Sequence, residues 1–541
     1  MRFDLRKAVW CVTLVPLVFA FGCAGAGRTP SKQKTVAEGN DLGPTIGSLA
    51  EIFASDVVPV RSYGLVGGLN GTGSSECPAP IRTYLEKYIL QHLSGRAVDV
   101  DKLISSPDTA VVTVEGIIPP AAFKNQRFDV RIVALAGTQT TSLVGGWLYG
   151  ADLAEARQLG ISVRSLAAAE GPVYVDSIGP EVSDPRVGFV LGGAAVLEDY
   201  KISLALRRPD YIMASQIRNR INERFGYEIA EALAPGSIEL QVPNKYTSAK
   251  GRFVRLVRAT FLTETTALTE KRIDYHIRNF LSSANKDSGE IALEAIGKAS
   301  LPKLAAVLDS ADPEIRFRVA RCMLNLGDQR GREVLWNIVL DGKSPYRIVA
   351  IEAMVNNIAK EDAASMLRSL LHDGDFQVRL AAYENLVRLN DVSVSREQIA
   401  GSFYLDEVSQ PGKPALFVYR KDRPCVVIFG SPVYCRNDVF VETADKAITI
   451  NVPADARVAT VIRKHPRHPD VIIRLDCSLD LADVIRTLCR EPQTPSEQGG
   501  PGLGVSYSTL LGLLKQMVDA NAVDAEFHAG PLSKQAPIIK K

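Results

Sequence analysis

Apolar positions along this chain change period several times, and each change marks a new kind of element. Phe128, Val130 and Ile132 alternate with Asp129 and Arg131, the two-residue period of a strand with one buried face. Thr109 to Ile118 is β-branched and apolar until Pro119 and Pro120 stop it. Between residues 80 and 93, Ile81, Tyr84, Leu85, Tyr88, Ile89 and Leu93 share one helical face. The mixture continues to residue 261, with strands expected over 173–175, 186–190, 202–206, 237–242 and 253–261. One helix is expected from Asp210, its N-cap, to Phe225, with Ile212, Ile217, Ile221 and Phe225 turned inward.

From 274 to 395 strand text disappears and helical spacing takes over. A turn followed by an arginine recurs as Asp312-Pro313 with Arg316, Ser344-Pro345 with Arg347, and Asp375-Phe376 with Arg379, at spacings of 31 and 32. Each arginine opens a helix rich in small residues, and an earlier helix of each pair ends in Leu304/Leu308, Leu335/Val339 or Leu367/Leu371. This resembles a short HEAT-like α-solenoid, in which stacking buries faces that one helix pair leaves open. A repeated arginine of this kind is expected to bond carbonyls or an aspartate of the preceding repeat; the other reading is a concave docking face. Strand text returns over 402–475, and helices are expected over 481–488 and 510–515.

Composition narrows the classes. An apolar share of 46% supports ordinary cores, and a net charge of +2 gives no electrostatic case for nucleic acid or an anionic membrane surface. Arg2, Arg6 and Lys7 precede an apolar run from Ala8 to Phe21, which reads as an export signal. Gly22 before Cys23 points to lipid attachment at Cys23, although the bulky Phe21 fits an ordinary signal cut near Ala24 or Ala26 instead. Residues 24–45 carry few large apolar groups and read as a tether. Export puts the later cysteines in a compartment where disulfides persist. Cys425 and Cys435 flank a hairpin-like turn, and Cys477 and Cys489 flank a strand-to-helix connection, so either pair suits a bond; Cys77 and Cys322 have no local partner, and spacing leaves the connectivity open.

Catalytic chemistry finds little footing. The run Gly67-Gly68-Leu69-Asn70-Gly71-Thr72-Gly73 lacks the Lys of a phosphate loop and the spacing of a dinucleotide turn, so it reads as a loop whose glycines supply φ > 0. His465 and His468 have only Asp470 nearby and read as a solvated basic loop, not a metal site. Nucleophile elbows, His-Glu-x-x-His and Cys-x-x-Cys are absent from the sequence. No catalytic, cofactor or metal residue is assigned, and a non-enzymatic protein is expected.

Three glycine- and proline-marked patterns remain: Val60 to Gly73, with Gly64, Gly67, Gly71 and Gly73; Ala110 to Pro120, ending in Pro119 and Pro120; and Gln126 to Gly146, with Asp129, Gly145 and Gly146. In this order they resemble the N-terminal half of the flagellar P-ring protein family. The likeness continues through Arg207-Arg208-Pro209-Asp210-Tyr211 and the helix ending at Phe225-Gly226, and returns over 478–530 in Leu481–Leu488, Gly504-Val505-Ser506-Tyr507 and Ala522–Glu526. Residues 403–475 do not share it. Taken with the repeat spacing, the resemblance gives as the expected fold an α+β multidomain protein whose P-ring-like domains are interrupted by an all-α HEAT-like solenoid. Its parts are a signal at 1–23, a tether at 24–45, α+β domains at 46–149 and 150–270, helical repeats at 271–398, and a β-rich region with P-ring-like helices at 399–541. It further implies a structural subunit that assembles with copies of itself into a ring around the flagellar rod. That ring would lie in the periplasm at the peptidoglycan layer and beneath the L-ring proteins, with an outer-membrane tie if Cys23 is acylated. The alternative is an outer-membrane lipoprotein that scaffolds the envelope through its repeats.

Overall fold

The computed structural model describes residues 42–53, 57–92, 99–156, 163–179, 183–283, 285–409, 412–466, 468–492 and 502–533. The leader, Cys23 and most of the expected tether lie outside them. The last tether residues are built into the fold: Leu262 donates its N–H to Pro44 O at 3.2 Å, and Thr45 bridges Phe261.

The described chain enters as a helical turn, α1 (Ile46–Leu49), and a short strand, β1 (Ala50–Phe53). Six strands then close a barrel: β2 (Val58–Gly67), β3 (Ala110–Ile118), β4 (Arg127–Ala134), β5 (Trp147–Glu155), β6 (Ala167–Pro172) and β7 (Val187–Val196). Their spatial order is β2-β3-β4-β7-β6-β5, and β5 pairs back onto β2. Alternation in β4 sends Phe128, Val130, Ile132 and Ala134 inward, where they meet Val112 and Val114 of β3. β3 reads as continuously apolar because its other face is also covered. There Val111 packs with Leu65 beneath Leu85 and Ile89 of α2 (Ala79–His92) and Ile104 of α3 (Val100–Ile104). Burying each such side chain contributes roughly 1.5–3 kcal/mol.

A second sheet follows, made of β8 (Ile202–Leu206), β9 (Ala230–Ala234) and β10 (Ser237–Leu240), with β1 returning to its edge in the order β1-β8-β10-β9. Helix α4 (Tyr211–Phe225) covers it, opened as expected by Asp210, whose carboxylate accepts the N–H groups of Ile212 and Met213. Two expected strands change here. Residues 253–261 are mostly helix, α5 (Lys250–Ala259), because Phe253, Leu256 and Val257 also satisfy helical spacing and bury against neighbouring helices and the sheet. Of 173–175 only Tyr174 pairs, bridging Phe189. The expected boundary at 149/150 falls inside β5, so the barrel draws strands from both sides of it. Local patterning marks strands but not which of them close a ring.

Eight helices come next: α6 (Thr266–Ser282), α7 (Lys286–Ile296), α8 (Leu301–Ala305), α9 (Pro313–Asn325), α10 (Arg330–Leu340), α11 (Arg347–Val355), α12 (Lys360–Leu370) and α13 (Phe376–Arg388). Within the run α7 packs on α9, α9 on α11 and α11 on α13. Neither end of the run hangs free. At the start, Arg252 of α5 pairs with Glu290 and Glu294 of α7. At the far end, α13 lies on a five-stranded sheet.

That sheet comprises β11 (Val394–Ile399), β12 (Phe403–Val408), β13 (Ala415–Val418), β14 (Cys425–Phe429) and the last strand, β19 (Glu526–Ala529), in the order β11-β12-β14-β13-β19. One face presents Phe417, Val427 and Phe429 to the helices. The other presents Leu416, Val426 and Ile428 to α14 (Leu481–Cys489) and α15 (Tyr507–Asp519). A further sheet, β15 (Val439–Glu442), β16 (Ile448–Val452), β17 (Val458–His465) and β18 (His468–Ser478), completes the C-terminal unit. The expected boundary at 398/399 cuts through β11. No helix among the described residues is long and apolar enough to cross a membrane.

Candidate functional site

The motif residues fall in two groups at opposite ends of the β2–β3 ladder, the glycine loop after Gly67 at one and Pro119 with Asp129 at the other, and each group faces part of the C-terminal unit. β2 ends at Gly67, and the chain turns through Gly68, Asn70 and Gly71, all with positive φ. Gly71, at φ 90, has nothing within 4 Å of where a Cβ would stand, so its requirement is conformational. Gly73 differs: its φ is not left-handed, but a Cβ there would lie 2.1 Å from Thr109 O. Close approach lets Gly73 donate to Pro107 O at 2.9 Å and Ser74 to Thr109 O at 2.8 Å. Gly64 and Gly67 are likewise small for space, against Leu148 and Tyr149. Thr72 Oγ1 donates to Ser142 O at 2.9 Å, tying this loop to the one that carries Gly145 and Gly146. Gly145 in turn lies against Ser506, the N-cap of α15. Between these loops and Arg463, Lys464 and Ser506 runs a groove of about 620 Å³.

Asp129 is the most connected of these residues. Its carboxylate accepts the N–H of Gly192 at 2.7 Å, the N–H of Asp422 at 3.0 Å and the hydroxyl of Ser533 at 2.6 Å. It therefore joins β4 to β7 and joins both to the C-terminal unit. Gly192, at φ 58, passes so close that a Cβ would meet Asp422 O at 2.1 Å. Pro119 and Pro120 end β3 beside this spot, and Pro119 lines the same cleft as Asp129 and Asp422.

Residues outside the three glycine- and proline-marked patterns complete the seam. Ser508 Oγ accepts the N–H of Val175 at 2.9 Å, and its carbonyl accepts Ser177 Oγ at 2.7 Å. Arg420 pairs with Asp176 at 3.2 Å, and Asp176 also accepts the Tyr174 hydroxyl at 2.6 Å. Burial and that carboxylate hold the Tyr174 phenol well above its ordinary range. Tyr507 bonds Tyr419 O at 2.7 Å and the backbone of Cys425. Nothing local marks these positions, because their partners are more than 80 residues away in each case except the Tyr174–Asp176 bond.

The repeat arginines sit as expected at helix starts, and all three bond carbonyls: Arg316 to Ser310 O at 3.3 Å, Arg347 to Val339 O at 2.7 Å, Arg379 to Lys413 O at 2.7 Å. The aspartate is on the other side from the one expected. Arg347 pairs with Asp373 of the following turn, not with the preceding repeat. A second ladder runs through the helices: Asn325 donates to Glu294 at 3.0 Å, and Asn357 donates to Asn325 at 2.9 Å. Its spacing of 31 and 32 equals that of the arginines and was the available signal. Beside it, fully buried Glu290 is held at about 2. Burial pushes its carboxyl up, and Arg252 and Arg321 outweigh that.

The six cysteines among the described residues are free. Cys425 and Cys435 lie in different cores, Cys425 with its sulfur 3.8 Å from the Tyr383 hydroxyl under the helices, Cys435 on the α14–α15 side. Cys489 sits beside Arg463, and Cys477 beside Thr487 and Cys435. His465 and His468 are not in a loop; they face each other at the tip of the β17–β18 hairpin, rings 5.2 Å apart. Among the described residues no group of three or more His, Cys, Asp or Glu side chains is placed to hold a metal.

The seam is a joint. Its named carboxylates, hydroxyls and guanidinium tie the barrel to the C-terminal unit. Residues 46–270 match the family model described as flagellar P-ring protein. The chain is 30% identical over 210 residues to the flagellar P-ring protein of Thermotoga maritima, covering 36% of this chain and 59% of that protein. It is 34% identical over 210 residues to that of Anaeromyxobacter sp. (strain K), covering 35% and 54%. With the flagellar P-ring protein of Rhodopseudomonas palustris (strain TIE-1) it shares 29% over 211 residues, covering 36% and 53%. The chain thus spans less than two thirds of these relatives. Over residues 46–270 it is similar to the flagellar P-ring family, in diverged form, and the chain has a further region beyond residue 270.

Proposed function

We propose that this chain is a structural, non-enzymatic subunit of a flagellar P ring. Copies associate head-to-tail through heterologous surfaces, and such contacts close when the rotation per subunit divides the circle. The ring surrounds the rod in the periplasm, at the peptidoglycan layer and below the L ring, with Cys23 supplying a lipid tie to the outer membrane. The observation that carries this reading is that the matched region includes the whole barrel, with Asp129 on it, while the groups that Asp129 meets at Asp422 and Ser533 lie outside the match. A ring around a turning rod needs stiffness, and a seam of many hydrogen bonds between chain-distant segments supplies it.

The helical run favours one refinement. It reads as a HEAT-like solenoid, yet both of its ends are packed against other parts of the chain, so it acts as a strut between the second sheet and the C-terminal unit. A second reading draws on the region outside the family match: an outer-membrane lipoprotein that docks partners along the helices. Isolation of rod-bearing basal bodies from detergent-extracted envelopes separates the two. Stoichiometric recovery of this chain at the ring supports the P-ring reading. A P ring that lacks the chain, or a cell that builds no flagella, overturns it.

A further inference from the structure

The four-stranded sheet β15–β18 leaves and rejoins the C-terminal unit at one neck. There residues 433–435 run antiparallel beside 479–481. Leu481 donates its N–H to Val433 O at 2.8 Å, Cys435 donates its N–H to Leu479 O at 2.8 Å, and Tyr434 bridges Asp480. Residues that face each other in such a pair point to the same side, and alternate residues share a face. Tyr434 points out and is 59% exposed, while Val433 and Cys435 point into the core that also holds Leu481 and Val484. Cys477 stands two residues before Leu479 on β18, so it shares that inward face, and it packs against the same core.

Cys435 and Cys477 are therefore diagonal neighbours across the neck. Burial pushes the Cys435 thiol up to about 12, and the adjacent Cys477 sulfur adds to it. The Cys477 thiol makes a weak bond to Ala459 O at 3.6 Å and lies beside the Thr487 hydroxyl. The remaining described cysteines are elsewhere. Cys425 is under the helical run, Cys489 is beside Arg463, Cys322 is inside the helices and Cys77 precedes α2.

The geometry points to Cys435 and Cys477 as a disulfide-forming pair that closes the neck of the four-stranded sheet. The bond forms by exchange with a disulfide-bearing oxidant. One thiolate attacks the oxidant and displaces one of its sulfurs as a thiol; the second thiolate then attacks the mixed disulfide and displaces the other. The chain loses two protons and two electrons, and the oxidant leaves as two thiols. Diagonal Cα atoms across a strand pair stand roughly 7–8 Å apart, and bonded cysteines usually lie within about 6.8 Å. Closure thus draws residues 433–435 toward β18 by on the order of 1 Å. The loop so closed contains β15, β16, β17 and nearly all of β18, and it ties that module to the unit at its base.

This inference stands apart from the ring assignment. The full chain, purified without reductant, is incubated with oxidised glutathione, alkylated, digested and mapped by mass spectrometry. We expect one cross-linked peptide pair joining Cys435 to Cys477, two hydrogens lighter than its parts and separated by dithiothreitol. In Cys477→Ser the pair disappears. The oxidised wild type should melt several degrees above the reduced form, a difference Cys477→Ser lacks. Recovery of both cysteines as alkylated thiols, or a bond from Cys435 to Cys425 or Cys489, overturns the inference. The wild-type map decides this even if the variant does not fold.

Discussion

The carboxylate of Asp129 accepts the backbone N–H of Asp422 at 3.0 Å, joining β4 of the barrel to a turn 293 residues later. Two more donors, from Gly192 and Ser533, converge on it. A hydrogen bond to a charged group contributes about 1.5–3 kcal/mol, and orphaned donors add a desolvation cost. Asp129→Ala should therefore lower unfolding stability by roughly 2–4 kcal/mol, and hydrogen exchange at the Asp422 amide should accelerate. Unchanged exchange there would show that the seam is held without Asp129.

Gly71 and Gly73 separate the two demands made on glycine in one loop. Gly71→Ala meets open space and should cost about 1–2 kcal/mol from left-handed backbone alone. Gly73→Ala drives a methyl into Thr109 O and should cost more, at the upper end of the roughly 1–3 kcal/mol of overpacking or beyond it. Denaturant midpoints of the two variants test the order; the reverse order would refute this account of the loop.

Arg347 and Arg316 occupy the same repeat position with unlike surroundings. Arg347 is buried, bonds Val339 O and pairs with Asp373, whose side chain keeps some water contact. Arg347→Met should cost roughly 2–4 kcal/mol, somewhat less than for a fully buried pair. Arg316→Met removes one bond to a carbonyl and should cost about 1 kcal/mol or less. Chemical denaturation of both variants, monitored by far-UV dichroism, measures the difference.

Acid sensitivity should concentrate where α5 meets the helical run. Glu290 is held at about 2, below the ordinary carboxyl value of 4.5, because Arg252 and Arg321 outweigh its burial. Its folded-state value is depressed, so its contribution is present above pH 4.5 and is lost as pH falls toward 2. Glu290→Gln should thus destabilise the protein at neutral pH, by an amount that shrinks on acidification. Unfolding curves taken from pH 7 down to pH 2 check this.

His276 on α6 adds a separate acid window. Burial, with Arg272 beside it, lowers its value from 6.5 to about 4. The unfolded chain takes up this proton first, so stability falls as pH drops from 6.5 toward 4. His276→Phe should flatten the stability profile across that interval, and an unflattened profile would count against a buried neutral imidazole.

Much of this fold could be read before the structure. The alternation at 128–132 gave β4, Asp210 gave the start of α4, and the spaced arginines gave the turns of the helical run. These features are local: a period or a cap depends on residues within a few positions of one another. The glycine-rich loop was also legible as a loop, though only Gly68 and Gly71 of its glycines need positive φ, and Gly73 serves close approach instead.

What the tertiary structure decided was which surfaces meet. Phe253 to Val257 fits either period, and only the core containing Ile217 and Ile221 selects the helix. β1 returns to β8 across some 150 residues, and the barrel closes across the boundary expected from patterning. Asp129 looks like any polar residue of a half-buried strand until Asp422 and Ser533 arrive beside it. The sequence by itself determined the local elements and the family likeness of residues 46–270. It did not determine barrel closure or the seam, because these depend on contacts between segments from some 80 to some 400 residues apart, and no local period records them.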